Sequence, residues 1–318
     1  TIVEPLSVDG DDKEGTPSKE DGSDEKDRLA NSNITITESD SDQDPFDELD
    51  QLIGLEDVKK EVHSMASYVK VQQARKEKGL KSNNVSYHLV FTGNPGTGKT
   101  TVARIMARIF KDLGILSRGH LVETDRSGLV GEYVGQTAPK TNAVIDKSLD
   151  GVLFIDEAYA LMDGKGANSY GSEALATLLK RMEDDRDRLV VIIAGYTGEM
   201  KELIESNPGL KSRFNRYIEF KDYSSEELQR IFVSNAERAG YSLNPEAVEV
   251  LQTRMDLAVS KRDKHFGNAR YARNVLEKAM SEQADRLASA GNVNKASSET
   301  LSTLTAIDLT KAFDTIKQ

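Results

Sequence analysis

The chain contains no cysteine. Without thiols there is no disulfide and no thiolate metal site, and nothing argues for an oxidising compartment. Long apolar runs are also missing. LVVIIAG, residues 189–195, is among the longest, far short of the roughly 20 residues that cross a bilayer as a helix. The opening TIVEPLSVDG has neither the basic start nor the apolar centre of a signal peptide. It also lacks an initiator Met, which fits a fragment of a longer protein, and a cytoplasmic location is the expectation. Aromatic residues are scarce, 6% of the 318, and residues 1–45 have none.

What is present is unevenly spread. Residues 1–50 hold 17 of the 53 Asp and Glu but 4 of the 42 Lys and Arg, a balance of −13, which leaves +2 for residues 51–318. The acidity therefore belongs to the N-terminal segment, and the remainder is near neutral. A stretch rich in Asp, Ser, Gly and Lys buries too little apolar surface to offset chain entropy, so residues 1–45 are expected to form a disordered acidic tail or linker.

From Leu55 to about Lys78 the apolar spacing predicts a helix. Beyond it, short apolar runs alternate with amphipathic stretches: strands at 87–93, 120–125, 151–158, 189–195 and 216–220, with helices over 97–114, 138–149 and 172–185. That alternation predicts an α/β domain over 46–222, a mostly parallel sheet with helices on both faces. From Ser224 the pattern is helical only, at 224–238, 245–259, 267–288 and about 306–316, with GNVNKASSET (291–300) as a polar linker. Residues 223–318 are thus expected to form a small all-α domain.

GNPGTGKT, residues 93–100, fits G-x-x-x-x-G-K-[ST] between a strand and a helix. Gly96 and Gly98 let backbone N–H groups surround phosphates, Lys99 brings a positive charge to the β- and γ-phosphates, and the Thr100 hydroxyl can ligate Mg²⁺. The helix N-terminus adds partial positive charge. Asn94, Pro95, Gly96, Thr97, Gly98, Lys99, Thr100 and Thr101 are the nucleotide-binding candidates, with ATP and Mg²⁺ as cofactors. GVLFIDEA ends an apolar strand on Asp156 and Glu157, where parallel-sheet chemistry sits. Asp156 is expected to support the Mg²⁺ and Glu157 to polarise an attacking water, so hydrolysis is predicted rather than binding alone. Arg213 and Arg216, just before the last strand, are either surface charges or arginine fingers for a neighbouring subunit. Arg270 and Arg273 open a helix of the all-α domain, and Arg270, after a Gly-Asn turn, is the better candidate to reach the nucleotide.

GEYVGQT, residues 131–137, sets Tyr133 and Val134 between glycines, where a buried strand or helix interior is disfavoured. From the residues alone it reads as a surface loop with a stray aromatic or as a mobile contact element.

Taken together, GNPGTGKTTVAR, GHLVE, LVGEYVGQTAPKT, GVLFIDEAYAL, MEDDRDRLVVIIAGY and NPGLKSRFNR resemble the AAA+ ATPases. The resemblance covers about residues 46–318 and is strongest to the subgroup containing CbbX, the red-type Rubisco activase, stage V sporulation protein K and the EccA-type ATPases of type VII secretion. It implies a P-loop NTPase large domain followed by a lid domain, working as a homo-oligomeric ring of six. It places Ile53 and Gly54, in LIGLEDVKKEV, against adenine. It implies that Tyr133, Val134 and Gly135 line a central pore and grip a protein client. Where many relatives carry a polar Asn after the strand LVVIIAG to position water, this chain reads AGYTGEM. Thr197 is the nearest equivalent and Tyr196 its rival. A protein remodeller is the first expectation and a Rubisco activase releasing inhibitory sugar phosphates the second. A nucleic-acid motor would want basic pore loops or an added DNA-binding domain, which the near-neutral balance and aromatic loop do not offer. A non-catalytic ATP-dependent scaffold is the remaining alternative.

Overall fold

A computed structural model describes residues 33–38, 42–81, 86–162, 170–291 and 293–316. Six strands form one sheet in the order β1 (Ile34–Thr37), β3 (Leu121–Thr124), β4 (Gly151–Ile155), β5 (Leu189–Gly195), β2 (Leu89–Gly93), β6 (Arg216–Phe220). All neighbours are parallel except β1, which pairs antiparallel to β3. Successive side chains of a strand point to opposite faces, and both faces here are apolar. Val152 and Phe154 join Phe91 and Ile192 on the face covered by α1 (Pro45–Gln51), α2 (Glu56–Glu77) and α3 (Lys99–Asp112). Leu153 and Ile155 join Val90 and Ile193 under α4 (Arg126–Leu129), α5 (Thr137–Ser148), α6 (Tyr170–Asp184), α7 (Thr197–Ser206) and α8 (Pro208–Arg213).

The C-terminal domain packs α9 (Ser225–Arg238), α10 (Pro245–Ser260), α11 (Asn268–Ser289) and α13 (Ala306–Thr315) around a separate core that includes Leu228, Phe232, Leu251, Val275 and Leu309. Its helix starts are written in the sequence. The Ser224 side chain accepts the Glu227 amide while Glu227 returns to the Ser224 amide, a capping box. Asn244 caps the helix that Pro245 opens. The short helix α12 (Ser298–Ser302) lies at the end of the expected polar linker.

Three expectations need correction. Residues 34–37 are a sheet strand and not tail: ITIT is β-branched and alternating, but its acidic, aromatic-free surroundings hide the signal. The rest of the expected tail up to residue 32, and residues 39–41, lie outside the described residues, while Asp44 caps α1 by accepting the amides of Phe46 and Asp47. The C-terminal domain is not purely helical. Ser242–Leu243 (β7) pairs parallel with Thr303–Leu304 (β8), two-residue strands too short to show a period. Helices α7 and α8 also occupy a stretch with no predicted element.

The start of β2 carries a buried histidine. His88 Nδ1 accepts the Val191 amide at 3.0 Å, which requires a neutral ring nitrogen. Burial, reinforced by the Arg213 guanidinium and opposed by a backbone hydrogen bond to Met182, pulls the His88 pKa from 6.5 to about 4. As pH falls from 6.5, the unfolded chain takes up a proton that the folded chain refuses until about pH 4. Stability due to this group is therefore lost downward through that window, by up to about 3 kcal/mol. His88→Asn, whose Oδ1 can accept the same amide, should show a shallower fall of the urea midpoint between those pH values. Equal slopes for parent and variant would remove His88 from the acid response.

Candidate functional site

The carboxyl ends of β2, β4 and β5 converge on one cleft, a cavity of about 620 Å³ roofed by the C-terminal domain, within the usual size of a cofactor site. Gly93 closes β2 and the loop runs to Lys99, the first residue of α3. Gly96 and Gly98 take φ of +69° and +96°, left-handed values that a side chain disfavours. Gly96 has a second reason to be glycine, since a Cβ there would stand 2.1 Å from the Gly267 carbonyl of the roof. Lys99 Nζ donates to the carbonyls of Gly93 and Asn94, both at 2.8 Å. Burial pulls its pKa below the ordinary range, Asp156 opposes this, Arg270 adds to it, and Glu157 and Asp222 oppose it in turn. A desolvated ammonium, a loop shaped to admit backbone amides and the start of a 14-residue helix suit a polyphosphate.

Pro95, Gly96, Gly98, Lys99, Thr100 and Thr101 line the cleft, whereas Asn94 and Thr97 do not. Those two brace the loop. Thr97 is fully buried and donates to the Asn94 carbonyl at 2.8 Å, and Asn94 Nδ2 donates to Asp222 at 2.9 and 3.1 Å. Ile53 and Gly54 are likewise absent from the lining. Gly54 is packed beneath Tyr223 and Glu227, where a Cβ would stand 2.4 Å from Glu227 Oε1.

Asp156 and Glu157 follow β4 and both face the cleft. The Asp156 amide is fixed by the Thr124 carbonyl at 2.8 Å, and Asp156 Oδ1 accepts the Glu157 amide at 3.0 Å. Glu157 has φ of +47°, uncommon for a residue with a side chain and frequent at functional sites. Among the described residues no group of three or more His, Asp or Glu could hold a metal unaided. Thr100 and Asp156 nevertheless suit Mg²⁺, which takes one or two protein oxygens and completes its shell with phosphates and water.

The residue after β5 differs from the expectation. Thr197 is exposed in the first turn of α7 and outside the lining, while Tyr196 enters the cleft. The reason is local: helix α7 starts at Thr197 and turns that side chain to solvent. Tyr196 sits 5.9 Å from Tyr159 and 5.8 Å from His265, ring centre to ring centre. Burial, then Glu157, pushes the Tyr159 hydroxyl up to about 12, so it stays a protonated donor.

From the roof, Arg270 and Arg273 both reach the lining, as do Asn235, Leu276 and Met280. Leu276 and Met280 give this part of the lining an apolar surface, which suits a nucleotide base. The bonded junction between the domains left little mark in the sequence. Asn268, fully buried with φ of +46°, donates to Asp222 at 2.8 Å, Phe266 O at 3.0 Å and Pro95 O at 3.3 Å, and accepts the Tyr223 amide at 3.0 Å. Asp222 thereby joins the phosphate loop, through Asn94, to the roof, through Asn268. The Gly-Asn pair before Arg270 was its one visible trace.

Arg213 and Arg216 lie outside this cleft. Arg216 pairs with Leu89 and Phe220 with Gly93, so Arg216 stands four residues back along the sheet, about 13 Å from the loop. Its guanidinium lies over the Tyr68 ring at 5.5 Å. Arg213 donates to the Gly209 carbonyl at 3.4 Å, comes within 3.5 Å of Glu183, and leaves its buried Nε without a partner. Tyr133 and Val134 stand apart as well, 67% and 86% exposed, the two highest values among the exposed large apolar side chains of the described residues. Their turn is closed by Gln136 N to Tyr133 O at 3.2 Å, with Gly135 at φ of +83°.

The model of the ATPase family associated with various cellular activities (AAA) matches residues 89–222, and that of the AAA lid domain matches 224–318. Protein CbbX of Cereibacter sphaeroides is 46% identical over 78% of this chain and 80% of its own length. Stage V sporulation protein K of Bacillus subtilis is 44% identical over 76% and 74%. The chloroplastic ribulose bisphosphate carboxylase/oxygenase activase of Cyanidioschyzon merolae is 45% identical over 77% and 77%. Among solved structures, the FIGL-1 AAA domain in complex with ADP matches with a TM-score of 0.63 at 16% identity, over 95% of this chain and 93% of that one, a likeness of fold.

Proposed function

The chain belongs to the AAA family of ATPases, and from that premise we propose that it acts as a ring, of six copies, that pulls on a protein client through an aromatic loop. The observation that carries this reading is the pair Tyr133 and Val134, held out to solvent on a turn fixed at both ends. A buried aromatic needs no explanation, but two large apolar side chains this exposed on a short turn fit contact with another polypeptide.

Within each copy, Lys99, the loop amides and Arg270 would hold the phosphates of ATP, with Mg²⁺ on Thr100 and Asp156. Bound Mg²⁺ supplies charge neutralisation on the transferring phosphoryl group. Glu157 would take the proton of the attacking water, and Tyr196 lines the same space. Arg213 and Arg216, outside the lining of their own cleft, would act in a neighbour's. The Asn94–Asp222–Asn268 link would tie the phosphate loop to the lid, and lid rotation would displace the large domain of the next copy.

The decisive experiment is a trap. A Glu157→Gln chain, incubated with ATP and cell extract and then cross-linked, should retain a defined protein. Tyr133→Ala in the same background should cut recovery about 30-fold, the effect of truncating an aromatic hot spot. Recovery that ignores Tyr133 would refute the pulling reading and return the scaffold and nucleic-acid readings. The likeness to a named Rubisco activase favours a second, narrower reading, and Rubisco large subunit in the trap would establish it.

A further inference from the structure

The turn bearing Tyr133 and Val134 ends where α5 begins, and the first turn of α5 buries three polar side chains. Thr137 and Thr141 are fully buried and Lys140 is 8% exposed. All three bond back to the segment just before the turn. Thr137 Oγ1 accepts the Gly131 amide at 3.1 Å, and the Thr141 hydroxyl donates to the Leu129 carbonyl at 3.0 Å. Lys140 Nζ donates to the Ser127 carbonyl at 2.7 Å and the Val130 carbonyl at 3.2 Å. A buried ammonium is costly unless its donors are used. The last carbonyls of a short helix such as α4 have no helical partners of their own. Each solves the other's problem.

The result is mechanical. Residues 127–131 on one side of the turn and 137–141 on the other are bolted together by one helical turn, leaving only Glu132–Gln136 between them. Asn33 Nδ2, just before β1, adds a bond to Ser127 Oγ at 2.8 Å, so Ser127 is held from the N-terminal segment as well as from Lys140. Helix α5 in turn runs, after Leu149 and Asp150, directly into β4, whose other end carries Asp156 and Glu157.

We propose that Lys140, with Thr141, is a positioning residue for the Tyr133–Gly135 turn: it locks the turn's base to α5, so that movement of α5 reaches Tyr133 instead of being absorbed in a slack loop. This rests on the pulling reading above. It assigns no contact between Lys140 and nucleotide or client.

The absence of native cysteine makes the test direct, because Val134→Cys in the full chain is a unique thiol. A nitroxide there reports turn mobility, and a benzophenone there reports capture of casein, a polypeptide without stable tertiary structure. Lys140→Met keeps the aliphatic stem and removes the donors, and Thr141→Val removes one hydroxyl at constant shape. Both should give a more mobile nitroxide whose spectrum no longer changes between ATP and ADP. Lys140→Met should reduce casein cross-linking about tenfold or more, the scale of a lost charge-assisted bond, and Thr141→Val about fivefold, the scale of a neutral one. Amide exchange should rise at 128–136 and stay at the parent level in the phosphate loop and α11.

Spectra and cross-linking at parent levels in both variants would overturn the proposal. So would exchange that rises evenly across the large domain, the mark of a purely stabilising role. If Lys140→Met fails to fold, Thr141→Val decides by the same readouts. If cross-linking by the parent does not depend on Tyr133, the pulling reading fails, and the nitroxide spectra alone still decide whether Lys140 fixes the turn.

Discussion

Exchanging Glu157 for Gln is expected to slow ATP hydrolysis about 10²–10⁴-fold, the usual contribution of general base catalysis, with nucleotide still bound. Glu157 enters the cleft from the end of β4 on a left-handed backbone, and its amide is fixed by Asp156. Gln preserves that shape and the hydrogen-bonding reach but cannot accept a proton from water. Lys99, Thr100 and Asp156 are untouched, so the affinity measured with a fluorescent nucleotide should change little while steady-state phosphate release collapses. A loss below about tenfold would assign the water to another group, and Tyr196, which lines the same space, would be the first to substitute.

Arg213→Ala should cost about 10³–10⁵-fold in kcat if it acts as an arginine finger, again with binding retained. The prediction is sharper than the loss alone, because the sheet register separates Arg216 from its own phosphate loop by most of a strand, and Arg213 precedes it. Neither residue lines the cleft of its own copy. Arg213→Ala and Lys99→Ala should therefore each be inactive alone and regain turnover when mixed, since a Lys99→Ala copy can lend Arg213 to the intact cleft of an Arg213→Ala neighbour. Activity that is not restored on mixing would place the finger's action within one copy. Arg213 is the first of the two to test, because Arg216 is stacked on Tyr68. Arg216→Ala measured beside it tests that ranking.

The parts legible in the sequence share one property: their chemistry is carried by residues close together in the chain. The phosphate loop needs two glycines, a lysine and a threonine within eight residues, and a strand before and helix after it. Asp156 and Glu157 needed only an apolar run to mark the strand that ends on them. The parts that escaped belong to contacts across the chain. Asp222 and Asn268 meet the phosphate loop from 128 and 173 residues away, and neither stands in a pattern of its own. Leu276 and Met280 read as ordinary apolar positions of a helix until the lid turned them over the cleft. Ile53 and Gly54 show the opposite case: the likeness places them at the base, while in the fold they lie outside the cleft lining and Gly54 packs against Glu227.

By itself, then, the sequence determined the fold class, the order of the two domains, the ATPase chemistry and the place of the GNPGTGKT motif between a strand and a helix. Periodicity and short-range spacing carry those, and both are properties of the chain read in order. The tertiary structure alone decided that Tyr196 and not Thr197 enters the cleft, because the start of α7 turns one side chain in and the next out. It decided that the sheet is edged by an N-terminal strand, and that Asn94 and Thr97 brace the loop instead of lining it. It also showed Lys140 buried against carbonyls at the base of the exposed turn. Each of these depends on which side of an element a residue faces and what is packed there, and burial converts an ordinary polar residue into a structural bond only once its partner has been brought to it.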